Sequence, residues 1–185
     1  MEIKELISSG LEHSKGGLDR TLYGLSAEEI NWHPKPDANS IGLILFHIAR
    51  LEDSLVSNLS GKPSLWDTEK WYIKLHKDQS DRGAHYTADQ VAKFAISNPK
   101  DLLAYYDAAR ARTMDFINKV SPGRFDEKVD MPAPPPHPTD ASGRPAPPKR
   151  PEPTVGRMLV MILNESLSHG GEISYIRGLQ RGLDK

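Results

Sequence analysis

The stretch NSIGLILFHIARLEDSLVSNLS, residues 39–60, decides the fold. Its apolar residues recur at intervals of three and four, the spacing of one face of an α-helix. That apolar stripe consists of Ile44, Ile48, Leu51, Leu55 and Leu59. Asn39 or Ser40 can cap the start of the helix, and Gly61 followed by Pro63 marks its end. The stretch therefore predicts an amphipathic helix with one buried face.

His47 lies in this stripe, three residues after Ile44 and four before Leu51. Its imidazole is therefore expected on the inward face, among the core leucines. A lone inward histidine is more often a hydrogen-bonded core residue than a metal ligand. His47 by itself therefore does not establish a metal site.

Three more long helices are predicted from the same periodicity. The first covers about residues 2–25, another runs from Pro99 to Pro122, and the last runs from Thr154 to about Gly182. Between them, residues 62–86 are expected to form a long connection with one short helix. No alternating strand pattern appears in the sequence. We predict an all-α four-helix bundle that forms a single domain over residues 1–185.

Residues 122–153 differ from the rest in composition, since they hold 11 of the 15 prolines. Such a segment favours extended polyproline geometry and excludes helix and central strand. We predict a proline-rich loop inserted before the last helix, which folds over one end of the bundle as a lid or dimer arm. Its P-x-x-P spacing beside Lys149 and Arg150 also resembles a ligand of SH3-type domains, although a loop insertion is the simpler interpretation.

The composition excludes several classes of function. Basic and acidic residues number 24 and 25, with a net charge of −1, so nothing favours nucleic acid or an anionic membrane as a partner. No apolar run approaches the roughly 20 residues of a membrane span, and the N-terminus lacks a signal core. A cytoplasmic location is therefore expected. Without cysteine, any metal must be held by His, Asp or Glu, and any reacting thiol must arrive with the substrate.

Glu165 and His169 form the second half of a candidate metal site. They lie four residues apart in the last predicted helix, so their side chains share the face that carries Ile162 and Ile176. If this helix packs beside the helix of residues 39–60, His47 joins them. Two imidazoles and one carboxylate suit zinc, iron, nickel or manganese, and leave coordination positions open. The alternative is a solvated Glu-His pair and a separate core histidine.

Three segments resemble the DinB-like superfamily, which includes damage-inducible proteins and thiol-dependent transferases: residues 25–32, 39–52 and 154–178. In that family a histidine on the second helix joins an H-x-x-x-H pair on the last. The resemblance implies a divalent metal, zinc or nickel before iron or manganese, on His47, Glu165 and His169. Glu165 departs from the pattern, because the family usually has a histidine there. The resemblance also implies a homodimer, as relatives are often dimers.

Four further residues are candidates for the site. Glu172 lies one turn after His169, where it can orient the imidazole or act as a catalytic base. His13, Trp32 and Tyr175 are candidate substrate-binding residues. The alternatives are a solvated position for Glu172, a surface position for His13, and core positions for the two aromatic residues.

Two functions from different classes follow. The first is a metal-dependent enzyme, a transferase or hydrolase that activates water or a low-molecular-weight thiol for reaction with a small organic substrate. The thiol would then be a cosubstrate. The second is a non-catalytic stress-response bundle that binds metal or a ligand and dimerises. A third possibility is an interaction protein that works through the proline-rich segment.

Overall fold

The structure is a computed structural model that describes residues 3–130 and 152–182. The helices within these ranges are α1 (Ile3–Leu22), α2 (Ala27–Asn31), α3 (Ile41–Ser60), α4 (Leu65–Thr68), α5 (Trp71–Lys74), α6 (Ala88–Ala92), α7 (Pro99–Lys119) and α8 (Val155–Arg181). The predicted all-α class is confirmed, since the described residues contain no strand. None of their helices has the length and apolarity needed to cross a bilayer.

The long helices α1, α3, α7 and α8 form the bundle. Helix α1 packs along α8, α8 packs along α3, and α3 packs along α7. Helices α3 and α8 are therefore the central elements, because each packs along two long neighbours. The second and last long helices are neighbours, which was the condition for the candidate metal site, and their packing brings His47 beside α8.

Capping residues account for the ends of these helices. The Ser40 hydroxyl accepts the Leu43 N–H and so begins α3, and Gly61 ends that helix in the left-handed region at φ 67°. Helix α1 is shorter than the predicted 2–25, because Gly24 turns the chain at φ 72°. The Thr154 hydroxyl accepts the Arg157 N–H at the start of α8.

The core consists of two apolar clusters with a polar layer between them. One cluster fills the end of the bundle around Phe46 and Tyr105, and the other fills the end around Leu11 and Phe116. The layer between them contains four buried polar side chains, namely Ser14, Glu52, Arg110 and Ser166. The ends of the predicted stripes are less buried, since Ile3, Leu6 and Leu179 are at least half exposed.

Two predictions about the connections need correction. Residues 62–86 contain two short helices, α4 and α5, rather than one, and Trp66 packs against Phe46 with ring centroids 5.6 Å apart. Residues Pro122–Asp126 form a 3-10 helix, although the proline content predicted extended chain there. Proline is tolerated in a first helical turn because that turn needs no N–H donor. The predictions for the proline-rich segment from 131 to 151 lie outside the described residues.

Candidate metal centre

The three predicted ligands meet between α3 and α8. The Nε2 atom of His47 lies 3.5 Å from Oε2 of Glu165, and the Nε2 atom of His169 lies 3.1 Å from the same oxygen. One potential ligand atom from each residue lies within 4.8 Å of the others. No other group of three such side chains comes this close within residues 3–130 and 152–182.

The second nitrogen of each imidazole has a hydrogen-bond partner of its own. The Nδ1 atom of His47 lies 2.9 Å from the Gly83 carbonyl oxygen, and Nδ1 of His169 lies 2.9 Å from Oε2 of Glu172. A carbonyl oxygen and a carboxylate can only accept, so each Nδ1 donates its proton. In the neutral form of each ring the lone pair is then on Nε2, the atom on the side of Glu165. Nε2 of His169 also lies at hydrogen-bond distance from Oε2 of Glu165, 3.1 Å, and donates to that oxygen when the ring carries both protons.

This donor set fits a divalent cation. Two imidazole lone pairs and a carboxylate oxygen directed at one point repel each other unless a proton or a metal ion lies among them. Orientation of a ligating imidazole through its other nitrogen is the usual arrangement at metal centres. The rings of His47 and His169 are nearly perpendicular, at 81°, with centroids 4.9 Å apart. The residues present therefore match a site with three protein ligands.

The centre is half-buried at the edge of the bundle. The side chains of His47, His169 and Glu165 are 21%, 22% and 28% exposed. A fully enclosed site would leave no route for an exchangeable ligand, whereas these side chains are reachable from solvent. The arrangement therefore resembles an open centre more than a closed structural one.

A buried ion pair anchors the turn of α8 that carries Glu165. The Arg110 guanidinium donates to both carboxylate oxygens of Glu52, at 2.7 and 2.9 Å. It also donates to the Ser166 hydroxyl at 2.8 Å and to the Leu11 carbonyl at 2.6 Å. Burial disfavours the charged guanidinium, but the bonds to Glu52 outweigh burial and raise the pKa of Arg110. The residue next to Glu165 is thereby tied to α1, α3 and α7.

His47 is oriented by a loop that we call the strap, residues 78–86. Arg50 donates from Nε to the Asp81 carbonyl at 3.1 Å. The Asp81 carboxylate in turn accepts the Gly83 N–H at 2.8 Å and the Tyr86 hydroxyl at 2.6 Å. These bonds hold the Gly83 carbonyl at the Nδ1 atom of His47. The strap therefore fixes an imidazole of the centre from outside the bundle.

The other predicted site residues lie at different distances from the centre. Glu172 contacts His169 directly and its side chain is 52% exposed. Tyr175 is 69% exposed and lines a hollow together with Glu172. His13 lines a groove between α1 and α8 that contains none of the three ligands. Trp32 is 40% exposed and lines neither the hollow beside Tyr175 nor the groove beside His13.

Sequence reasoning missed the residues that position the ligands. No role was predicted for Glu52 from the sequence, yet its place between Ile48 and Leu55 in the apolar stripe signals a buried acid that needs a cationic partner. The role of Gly83 has no comparable signal, because a glycine in a polar connection is ordinary. Its carbonyl acquires a function only through the path of the strap.

The described residues thus form a four-helix bundle with a candidate metal centre between two of its long helices. Residues 11–173 match the DinB superfamily, and the chain belongs to that superfamily. Among solved structures, the chain is similar to the crystal structure of the conserved protein of locus from Enterococcus faecalis, with a TM-score of 0.80 and 22% sequence identity over 99% of both chains. At this identity the likeness shows the fold alone. No curated protein matches the chain.

Proposed function

We propose that this protein is a metal-dependent enzyme that acts on a small organic substrate, with His47, Glu165 and His169 as the metal ligands. One observation carries the proposal: both Nε2 atoms face one carboxylate oxygen while both Nδ1 atoms are held by acceptors. Membership of the DinB superfamily supports it, since the three positions fall within the matched residues. Transfer of a low-molecular-weight thiol is the leading reaction, and hydrolysis is the alternative.

A divalent ion held by these residues would lower the pKa of a water or thiol bound to it, and would so provide a nucleophile at neutral pH. Zinc and nickel suit the two imidazoles best, and iron and manganese also accept this set of ligands. Glu165 adds a negative charge that a histidine would not. Because the chain contains no cysteine, the thiol must be a cosubstrate.

Metal binding by the purified full-length chain tests the proposal. We expect about one divalent ion per chain in the wild type, and a loss of affinity of about 100-fold or more in His169→Ala, which lacks one of three ligands. His13→Ala removes an imidazole from α1, away from the ligands, and is the matched control that should bind metal normally. Absence of stoichiometric metal in the wild type after loading with zinc, nickel, iron and manganese would overturn the proposal.

Glu172 has two roles to separate. Its hydrogen bond to Nδ1 makes it a positioning residue for His169, and its exposed carboxylate also allows it to act as a base. As a positioning residue, Glu172→Gln should weaken metal affinity by about 10- to 100-fold. Unchanged affinity combined with a loss of turnover would instead assign it to proton transfer.

The second candidate is a non-catalytic stress-response protein that binds metal or a ligand and dimerises. The observation that favours it is a pair of exposed apolar side chains on α8, Val160 and Leu167, which are 54% and 51% exposed. They lie on a different face of the helix from Glu165 and His169. A partner copy would cover them. Stoichiometric metal, a dimer in sedimentation experiments and no turnover with any thiol and electrophile pair would favour this function over the enzyme.

A further inference from the structure

A cleft opens directly onto the candidate metal centre. It encloses about 360 Å³ between α3, the strap and α6, and both His47 and His169 form part of its wall. Leu43 and Ile44 of α3 and Val91 of α6 supply apolar surface to the same wall. A volume of this size lies at the lower end of the range for small-molecule sites, roughly 300–1,000 Å³.

Among the residues that the structure describes, the wall of this cleft includes no Asp, Glu, Lys or Arg side chain. Besides the apolar residues it contains Asn39, Gly83, Ala84, His85 and Tyr86. The Tyr86 hydroxyl is engaged, because it donates to the Asp81 carboxylate at 2.6 Å. Burial and that carboxylate raise the pKa of Tyr86, so the residue offers its ring to the cleft and keeps its proton.

We propose that this cleft binds the body of the substrate, and that the substrate is a small, uncharged and mainly apolar molecule whose reacting group extends toward His47 and His169. The inference rests on the proposed function and deepens it by naming the substrate class. A phosphorylated or multiply charged body would lose its hydration without finding a countercharge in the wall, which is costly. A single-ring molecule fits within the enclosed volume.

The strap makes the cleft and the centre one unit. Gly83 accepts the hydrogen bond of His47, and the next residue, Ala84, lines the cleft. A molecule in the cleft therefore contacts the same loop that orients an imidazole of the centre. Occupancy of the cleft and the geometry of His47 are coupled through two consecutive residues of the strap.

A neighbouring hollow provides an internal control. It encloses about 810 Å³, contains Lys35 and Glu172, and shares Asn39 and Ile44 with the cleft. Ala38 lines this hollow, whereas Ala84 lines the cleft. Ala84→Trp therefore fills the cleft and leaves the hollow open, whereas Ala38→Trp fills the hollow and leaves the cleft open.

Nuclear magnetic resonance on the metal-free full chain tests the cleft without any assay of activity. We expect benzyl alcohol to shift the amide signals of Leu43, Ala84 and Val91, and phenyl phosphate to bind about tenfold more weakly or worse, because the cleft offers its charge no partner. Ala84→Trp should abolish the benzyl alcohol shifts, and Ala38→Trp should retain them.

A second variant covers the case in which Ala84→Trp fails to fold. Val91→Phe adds bulk to the wall of the cleft, and we expect it to bind benzyl alcohol about threefold or more weakly than the wild type does, because the larger ring fills part of the space. Shifts that map to Tyr175 and Leu179, or equal binding of phenyl phosphate, would overturn the proposal. Unchanged affinity for benzyl alcohol in Val91→Phe would also overturn it.

The two proposals fail in distinguishable ways. If benzyl alcohol shifts the amide signals of the cleft in a chain that binds no metal, the proposed substrate site stands and the proposed metal-dependent enzyme is rejected. Stoichiometric metal without any shift in the cleft would retain the metal centre and reject the substrate class.

Discussion

The geometry of the candidate metal centre depends on the Nδ1 atoms of its two imidazoles, which point away from the centre. The Nδ1 protons of His47 and His169 are each donated to an oxygen, and this places both Nε2 atoms on the side of Glu165. An imidazole without such a partner rotates about its side-chain bonds and loses that orientation. The hydrogen bonds to Gly83 and Glu172 therefore orient the two imidazoles toward the centre.

Gly83 is the residue at which the strap is least tolerant of change. Its φ is +70°, and a Cβ atom there would lie 2.9 Å from the Cβ of Arg50. We expect Gly83→Ala to reduce the free energy of unfolding by about 1–3 kcal/mol, because alanine is strained in the left-handed region and meets Arg50. Urea denaturation measures this loss, and metal titration should show weaker binding in the same variant.

Gly16→Ala is the control for Gly83→Ala. Gly16 lies inside α1, where an added Cβ meets only the flexible end of Arg20 at 3.6 Å. We expect stabilisation by about 1 kcal/mol, since alanine favours the helix. Equal effects of the two variants would show that Gly83 has no special conformational role.

At the scale of elements, α3 anchors the connections as well as the bundle. Asp53 is fully buried on α3, and its two carboxylate oxygens accept the N–H groups of Leu65 and Trp66 at 2.9 Å each. It also accepts the Tyr105 hydroxyl at 2.9 Å. One side chain thereby caps α4 and joins it to α3 and α7.

We expect Asp53→Ala to reduce the free energy of unfolding by about 3 kcal/mol, because it leaves buried donors without an acceptor. Chemical denaturation followed by circular dichroism measures the change. Asp115→Ala is the matched control, since Asp115 forms only an exposed pair with Lys119, and we expect a change of about 0.5 kcal/mol or less. A loss at Asp53 no larger than at Asp115 would contradict the anchoring role.

The end of α8 is joined to α2 by a pair with a defined pH dependence. The Arg181 guanidinium hydrogen-bonds to Glu29 and lowers the pKa of that carboxyl to about 2 from an ordinary 4.5. Since the pKa of Glu29 is lower in the folded state, the contribution of this pair to stability is complete above about pH 4.5. It is lost as the pH falls toward 2. We expect the stability difference between wild type and Glu29→Gln to be constant from pH 5 to 7 and to shrink below about pH 4.5. A difference that grew on acidification would contradict this assignment.

At the scale of the whole molecule, one ion pair connects the four long helices. Arg110 of α7 binds Glu52 of α3, the Leu11 carbonyl of α1 and Ser166 of α8. Arg110 and Glu52 are 4% and 0% exposed, so neither can replace its partners with water. The layer specifies which faces of the helices meet at the centre of the bundle.

Replacement of one member of the Arg110–Glu52 pair should reduce the free energy of unfolding far more than replacement of both by apolar residues. We expect Glu52→Ala to reduce the free energy of unfolding by about 3–5 kcal/mol, because it leaves the Arg110 charge buried and unpaired. The double variant Glu52→Leu with Arg110→Met should recover most of that loss, as apolar side chains of similar size need no countercharge. Thermal and chemical denaturation measure both, with Glu127→Ala as an exposed control that should change stability by about 0.5 kcal/mol or less. A double variant as unstable as the single one would contradict a purely electrostatic cause.

The sequence alone determined the elements and the chemical types of the ligands. Helical periodicity and capping signals are local, so they fixed α3 within two residues and identified Ser40 among the candidate caps. The same periodicity assigned Glu165 and His169 to one face of α8, because residues four apart always share a face. The apolar stripe also assigned His47 to the inward face of α3, and the resemblance strengthened its assignment as a metal ligand with Glu165 and His169.

Only the tertiary structure decided which distant atoms meet. The approach of His47 to Glu165 depends on α3 and α8 burying whole faces against each other, a choice that no short window of sequence contains. The pairing of Arg110 with Glu52 and the path of the strap to Gly83 are likewise contacts between residues far apart in the chain. Local sequence thus specifies helices and their faces, whereas the orientation of the imidazoles follows from packing, because each Nδ1 acceptor is placed by the folded chain around it.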